Sequence, residues 1–248
     1  MKKLRVIING RSCGAEKGEI LLDIASRNGI KIPTLCHNEV LRGQASCRIC
    51  VVEVWEKGKK IIVTSCIYPV LADIEVKTNT EEIREIRKNL LRLLLSEAPD
   101  SPVINELAKE YLAENISRFK INREDNCIMC GLCVKACEEM GNASISTVNR
   151  GIHKKVTTPY EDPSATCIGC GSCAFVCPTN NIAMHENGCK REIWGKTFEM
   201  LECENCQKPY ITKEQYDFIN NKMGEKQERI CEECKKKKYT KALVEIYR

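Results

Sequence analysis

The chain has 248 residues, of which only 5% are aromatic and 18 are cysteine, so it is long enough for two or three small domains but not for one large apolar core. The N-terminus MKKLRVIING offers no stretch for a secretory signal, and Arg92 and Glu97 break the best membrane candidate, LLRLLLSEA; a reducing cytoplasm, where thiolates bind metal instead of pairing, is the expected setting. The formal charge of +5 does not point to nucleic acid, because each tetrathiolate centre around a dipositive metal or cluster leaves about −2, and four of them bring the total to about −3.

Residues 1–78 read as a sheet-rich domain. A strand at 4–8, the turn Asn9-Gly10 and a return at 12–15 make a hairpin. Ile20, Leu21, Ile24 and Ala25 mark a helix over 20–28, with Gly29 as its stop. Strands at 51–55 and 60–64 flank a Glu-Lys-Gly-Lys turn, and 74–77 is a further strand. Hairpin, helix and further strands are the order of a β-grasp domain. Cys13, on a predicted strand, reads as a small core residue.

This domain holds Cys36, Cys47, Cys50 and Cys66 in the spacing C-x10-C-x2-C-x15-C. A C-x2-C loop with one cysteine on either side suits a [2Fe–2S] rhomb, although the first interval is longer than in the plant type. A zinc site satisfies the same spacing. His37 invites a Rieske reading, but four cysteines leave it no vacancy, and it reads as a rim residue.

Residues 79–121 form a helical linker. In the helix over 80–97, Ile83, Ile86, Leu90 and Leu94 are the predicted apolar stripe, and Arg84, Arg87, Lys88 and Arg92 the wet side. Pro99 ends it, and Ser101-Pro102 opens a second helix to about Leu112.

Residues 122–190 contain an internal repeat. Cys127, Cys130, Cys133 and Cys137 follow C-x2-C-x2-C-x3-C, and Cys167, Cys170, Cys173 and Cys177 repeat it before Pro178. In such runs three cysteines wrap one cubane and the fourth ligates the other. One [4Fe–4S] is therefore assigned to Cys127, Cys130, Cys133 and Cys177, the other to Cys137, Cys167, Cys170 and Cys173. Gly131, Gly169 and Gly171 let the backbone approach inorganic sulfide. Two zinc knuckles are the competing reading, though zinc sites rarely repeat this fourfold spacing.

Residues 198–248 form a metal-binding tail with Cys203, Cys206, Cys231 and Cys234, spaced C-x2-C-x24-C-x2-C. Two separated knuckles read as a zinc ribbon, with a rubredoxin-like iron or a fourth cluster as alternatives. Leu201, Tyr210, Tyr216, Phe218 and Ile219 are its candidate packing residues. The lysines at 235–238 read as a solvated face or an acidic-partner docking patch. Cys189 lies in a polar loop and takes no assignment, with a role as an alternative ligand as the competing reading.

The stretch IPTLCHNEVLRGQASCRICVVEV, followed by TSCIYPV, resembles the [2Fe–2S] domain that opens the large iron–sulfur subunit of NADH:quinone oxidoreductase (complex I). The same domain opens iron-only hydrogenases and the iron–sulfur subunits of NAD-linked hydrogenases and formate dehydrogenases. The dicluster module, with VNRG at 148–151, continues the resemblance to about residue 190. Those relatives usually insert a His-x3-Cys-x2-Cys-x5-Cys segment between the modules. No cysteine lies between Cys66 and Cys127 here, so that cluster is expected to be missing.

Motifs and resemblance together give an α+β protein carrying one [2Fe–2S] and two [4Fe–4S], to which the spacing of the tail cysteines adds one zinc. The resemblance also implies an electron-transfer subunit of a soluble multi-subunit oxidoreductase. Its expected partners are a flavin-containing NAD(P)H-oxidising subunit and a further redox subunit, with no nucleic acid and no membrane span. The chain shows no G-x-G-x-x-G, P-loop or Ser/His/Asp constellation, so substrate chemistry is expected elsewhere. The rival readings are a stand-alone soluble ferredoxin and a nucleic-acid-associated iron–sulfur protein.

Overall fold

Asn9 and Gly10 both take positive φ, 50° and 82°, as a two-residue type I′ hairpin turn demands. They join β1 (Lys3–Ile8) to β2 (Arg11–Glu16). The computed structural model describes residues 3–41, 44–116 and 125–246, in two compact units. The first comprises Met1–Leu132, Asn149–Lys155 and Val176–Asn181, and the second Cys133–Val148, Val156–Phe175 and Ile182–Arg248.

In the first unit, α1 (Leu21–Arg27) buries Leu21, Leu22, Ile24 and Ala25. A second positive-φ pair, Lys57-Gly58, joins β3 (Val51–Glu56) to β4 (Lys59–Thr64). With β5 (Ile74–Lys77) these strands form a sheet of order β2-β1-β5-β3-β4. β5 runs parallel to β1 and antiparallel to β3. Val6, Ile8, Val52, Val54 and Val76 form the sheet's share of the core, and Cys13 joins them at 1% exposure, as expected of a small core residue.

The helix α2 (Glu81–Glu97) begins where the sequence places it, with the Thr80 hydroxyl accepting from the Ile83 amide at 3.3 Å. Its buried face differs from the predicted stripe. Ile83, Arg87, Leu91, Leu94 and Leu95 are buried, while Ile86 and Leu90 are half-buried. Arg87 is 2% exposed, not on the wet side. Its Nε and Nη2 donate to the carbonyls of Ile49 (3.0 Å) and Val51 (2.7 Å), and Nη1 donates to the Tyr111 hydroxyl (3.0 Å). Those acceptors satisfy the guanidinium away from water, which the sequence of α2 alone cannot reveal. Pro102 opens α3 (Pro102–Glu110), but Ser101 does not cap it: its hydroxyl is buried without a partner among the described residues. Residues 117–124, where the predicted linker meets the predicted second module, lie outside the described residues.

The helix α4 (Leu132–Met140) places all but its first residue in the second unit. β6 (Ser146–Val148) and β7 (Lys155–Thr157) form a small ribbon, and α5 (Ser172–Phe175) is a single turn. A four-stranded antiparallel sheet follows: β8 (Met184–Asn187), β9 (Lys190–Ile193), β10 (Lys196–Glu202) and β11 (Pro209–Thr212). The helix α6 (Lys213–Met223) is capped by the Thr212 hydroxyl and ends at Gly224, φ 72°. α7 (Glu232–Ile246) is the last element. Phe198, at 0% exposure, packs with Ile145, Ile193, Cys133 and Cys173 in the core of this unit. No helix among the described residues is long and apolar enough to cross a membrane.

Candidate metal centres

The first cysteine set converges at the end of the β-grasp sheet. Cys36, Cys47, Cys50 and Cys66 are all buried. Two pairings are visible within it. The Cys50 and Cys66 sulfurs lie 3.3 Å apart, and the Cys47 amide donates to the Cys36 sulfur at 3.4 Å. The Cys47 thiol, as donor, holds Cys36 down to about 5, and the Cys66 thiol holds Cys50 down to about 6. The same bonds, then burial, push Cys47 and Cys66 up.

Arg87 holds this loop from beneath. The two carbonyls it binds belong to Ile49 and Val51, which bracket Cys50. Among the described residues no carboxylate pairs with its charge. Removing the side chain would strand two buried carbonyls, at a cost of about 1–3 kcal/mol each. His37 is half-buried, with its Nδ1 unpartnered among the described residues.

The repeat is crossed in space. In the first unit, burial pushes the Cys130 thiol up to about 11, and the charges of Cys177, Cys127 and Cys36 add to the rise. Cys177, from the second run, therefore lies among cysteines of the first. The Asn181 amide donates to the Cys177 sulfur at 3.3 Å, and the Asn181 side chain accepts from the Asn126 amide at 2.6 Å, beside Cys127. The Ser46 hydroxyl, next to Cys47, reaches the Cys130 carbonyl at 3.5 Å. A side chain at Gly131, φ 77°, would collide with Gln44. Cys133 lies on the first turn of α4, in the core of the second unit.

In the second unit a small cavity is lined by Cys137, Cys167, Cys170 and Cys173, with Gly169, Ile193 and Trp194 among its other walls. The Ser144 amide donates to the Cys137 sulfur at 3.1 Å, and the Trp194 indole to the Cys173 sulfur at 3.4 Å. Burial pushes Cys173 up to about 11 and raises Cys167 as well. Four thiols around an apolar cavity with no carboxylate or imidazole in its lining are a donor set that fits an iron–sulfur cluster. The two glycines here have a further role. A Cβ on Gly169 would lie 2.7 Å from the Phe198 ring, and one on Gly171 would lie 2.8 Å from the Met184 sulfur.

The tail set is more compact. The sulfurs of Cys203, Cys206, Cys231 and Cys234 all lie within 4.8 Å of one another, with Cys206 and Cys231 at 3.7 Å. A tetrahedral ion with metal–sulfur bonds of about 2.3 Å needs sulfurs about 3.8 Å apart, so the set fits one ion and is too tight for a cluster. The Cys231 amide holds Cys203 down to about 6, and the Cys231 thiol pushes Cys234 up to about 12. Cys189 joins none of the sets: it is exposed in the β8–β9 turn, its thiol on Glu202 at 3.4 Å. Arg87, Arg191, Trp194 and Lys196 contact cysteine-bearing loops without any spacing signal to announce them.

Comparison with known proteins identifies two iron–sulfur domains in the chain. The family described as a 2Fe-2S iron-sulfur cluster binding domain matches residues 1–81, and a 4Fe-4S dicluster domain matches residues 120–184. The HndD subunit of the NADP-reducing hydrogenase of Solidesulfovibrio fructosivorans is 33% identical over 217 residues, 75% of this chain and 37% of the relative. An NADH-quinone oxidoreductase subunit of Rhizobium meliloti is 30% identical, over 82% of this chain and 26% of the relative. The alpha subunit of a Geobacter sulfurreducens NADPH-Fe(3+) oxidoreductase is also 30% identical, over 80% of this chain and 26% of the relative. The chain thus spans roughly a quarter to a little over a third of these relatives. Among solved structures, an NAD+-reducing [NiFe]-hydrogenase in the H2-reduced state aligns with a TM-score of 0.55 and 26% identity, over 62% of this chain and 74% of that one. The chain is an α+β iron–sulfur protein with a 2Fe-2S domain and a 4Fe-4S dicluster domain, homologous to subunits of NAD(P)-linked hydrogenases and NADH-quinone oxidoreductases.

Proposed function

We propose that this chain is the electron-transfer subunit of a soluble, cytoplasmic NAD(P)H-linked oxidoreductase. It relays single electrons between a flavin-containing NAD(P)H-oxidising subunit and a further redox subunit. The observation that carries the reading is the approach of two cysteine sets within the first unit. Ser46, beside Cys47, donates to the Cys130 carbonyl, and Cys36 is close enough to raise the Cys130 thiol. Two redox centres held by neighbouring residues are what a relay requires.

In this reading Cys36, Cys47, Cys50 and Cys66 hold [2Fe–2S], in the modules expected from the sequence. Cys127, Cys130, Cys133 and Cys177 hold one [4Fe–4S], and Cys137, Cys167, Cys170 and Cys173 the other. Cys203, Cys206, Cys231 and Cys234 hold one zinc in a ribbon-like tail. Bound iron–sulfur clusters supply one-electron redox chemistry. The chain's own residues bury the sulfurs, exclude water and direct N–H donors at them, as Ser144, Asn181 and Trp194 do. Zinc has no redox chemistry, which makes the tail a structural element.

Loaded with its clusters, the full chain is expected to be reduced by dithionite but not by NADH or NADPH alone. Reduction by the nucleotide should appear when a flavin-bearing partner subunit is added. Fast reduction of the flavin-free chain by either nucleotide would contradict the relay.

A further inference from the structure

The segment after the dicluster repeat does more than follow it. Three consecutive carbonyls of the cysteine loop are each taken by a side chain from the C-terminal sheet. Lys196 Nζ on β10 donates to the Cys167 carbonyl at 3.0 Å. The Thr212 hydroxyl, at the end of β11, donates to Ile168 at 2.5 Å. Arg191 Nη1 on β9, a residue 8% exposed, donates to Gly169 at 2.7 Å. The C=O and the following N–H of a trans peptide point in opposite directions. Holding these carbonyls toward the sheet side chains therefore turns the amides of Ile168, Gly169 and Cys170 the other way, and the Gly169 amide donates to the Cys167 sulfur.

Trp194 adds a donor aimed at a ligand sulfur itself, Cys173 Sγ at 3.4 Å. It does so from an uncommon backbone position. Trp194 and Gly195 form the two-residue turn between β9 and β10, with φ 53° and 68°. A bulky residue at positive φ is a genuine outlier, in a position that favours glycine or asparagine, and such strain persists where the surroundings over-determine it. Phe198, packed where Gly169 lacks a Cβ, fixes the sheet against the loop.

From these contacts we propose that the C-terminal sheet sets the reduction potential of one cubane, that of Cys137, Cys167, Cys170 and Cys173, with Trp194 and Lys196 as its positioning residues. The proposal rests on the cluster assignment above. Reduction adds one electron, here from dithionite, and makes the centre more negative. N–H donors and a nearby cation stabilise that added charge and raise the potential. Lys196 carries the cation, with its ammonium on the Cys167 and Ser164 carbonyls. The Arg191 charge is paired with Glu186 at 2.7 Å.

The test is EPR-monitored potentiometry of the full, cluster-loaded chain as wild type, Trp194→Phe, Lys196→Gln and the double variant. At full iron content, the double variant is expected to lower the reduced-to-oxidised ratio of one cubane about tenfold at fixed potential, about 59 mV for a one-electron couple. Each single variant should move the same signal by less. The other cubane and the [2Fe–2S] signal should stay in place. If Trp194→Phe loses iron, Lys196→Gln alone must still lower that midpoint. Unchanged midpoints in loaded Lys196→Gln, or a shift shared by all three centres, would overturn the proposal. A wild-type chain saturating at about six iron would instead overturn the underlying cluster assignment.

Discussion

Replacing Cys137 with alanine is expected to remove about four of roughly ten irons, all from the centre built on the second cysteine run. Sequence proximity argues otherwise, since Cys137 is four residues from Cys133 and thirty from Cys167. Yet its sulfur lines the cavity of Cys167, Cys170 and Cys173 and accepts the Ser144 amide there. Cys177 makes the reciprocal crossing toward Cys127 and Cys130. The Cys137→Ala chain should therefore keep the signal of the cubane that depends on Cys127 and Cys130. A paired Cys177→Ala variant should lose that signal instead. Loss of the Cys127 centre in Cys137→Ala would mean that each run closes its own cluster.

The second large effect lies in the tail. The apolar cluster around its cysteines has only Cys203, Ile230 and Cys231 buried, with Cys206, Tyr210 and Cys234 partly so. Of the predicted packing residues, Tyr216 is buried, its hydroxyl on the Gln227 carbonyl at 2.6 Å, and Leu201 is half-buried. So small a core is not expected to order the knuckles unaided. A structural tetrathiolate ion contributes on the order of 10–16 kcal/mol in small zinc peptides. In the full chain, Cys203→Ala with Cys231→Ala is expected to release one zinc. It should also abolish hydrogen-exchange protection in Lys213–Met223 and Glu232–Ile246, while the β-grasp sheet keeps its own. Should the wild-type tail instead carry a reducible iron whose signal vanishes in the double variant, the site is a fourth redox station.

What the sequence revealed was local. Cysteine spacing, the Asn9-Gly10 turn and the Thr80 cap each depend on residues a few positions apart, and each has a direct physical reading. The two buried arginines were not legible in that way. Arg87 and Arg191 face inward because carbonyls 38 and 22 residues away accept from them. From periodicity alone Arg87 joins the solvent side of α2. An arginine at an inward position of β9 likewise hides the strand alternation, and with it a sheet that begins at Met184. Ser101 fails in the opposite sense: a favourable cap residue whose hydroxyl makes no capping bond. From the sequence, Gly169 and Gly171 allow close approach to sulfide. The structure adds the neighbours, Phe198 and Met184, that occupy the space a Cβ would take.

Three redox clusters in one polypeptide are tested most directly by a reductive titration. Anaerobically purified, fully loaded full-length protein is titrated with dithionite while EPR spectra, iron and acid-labile sulfide are measured on the same sample. About three electrons per chain, about ten iron and about ten sulfide are expected, with one [2Fe–2S] and two [4Fe–4S] signals. Saturation at one or two electrons, or iron levelling near four or six per chain, would contradict it.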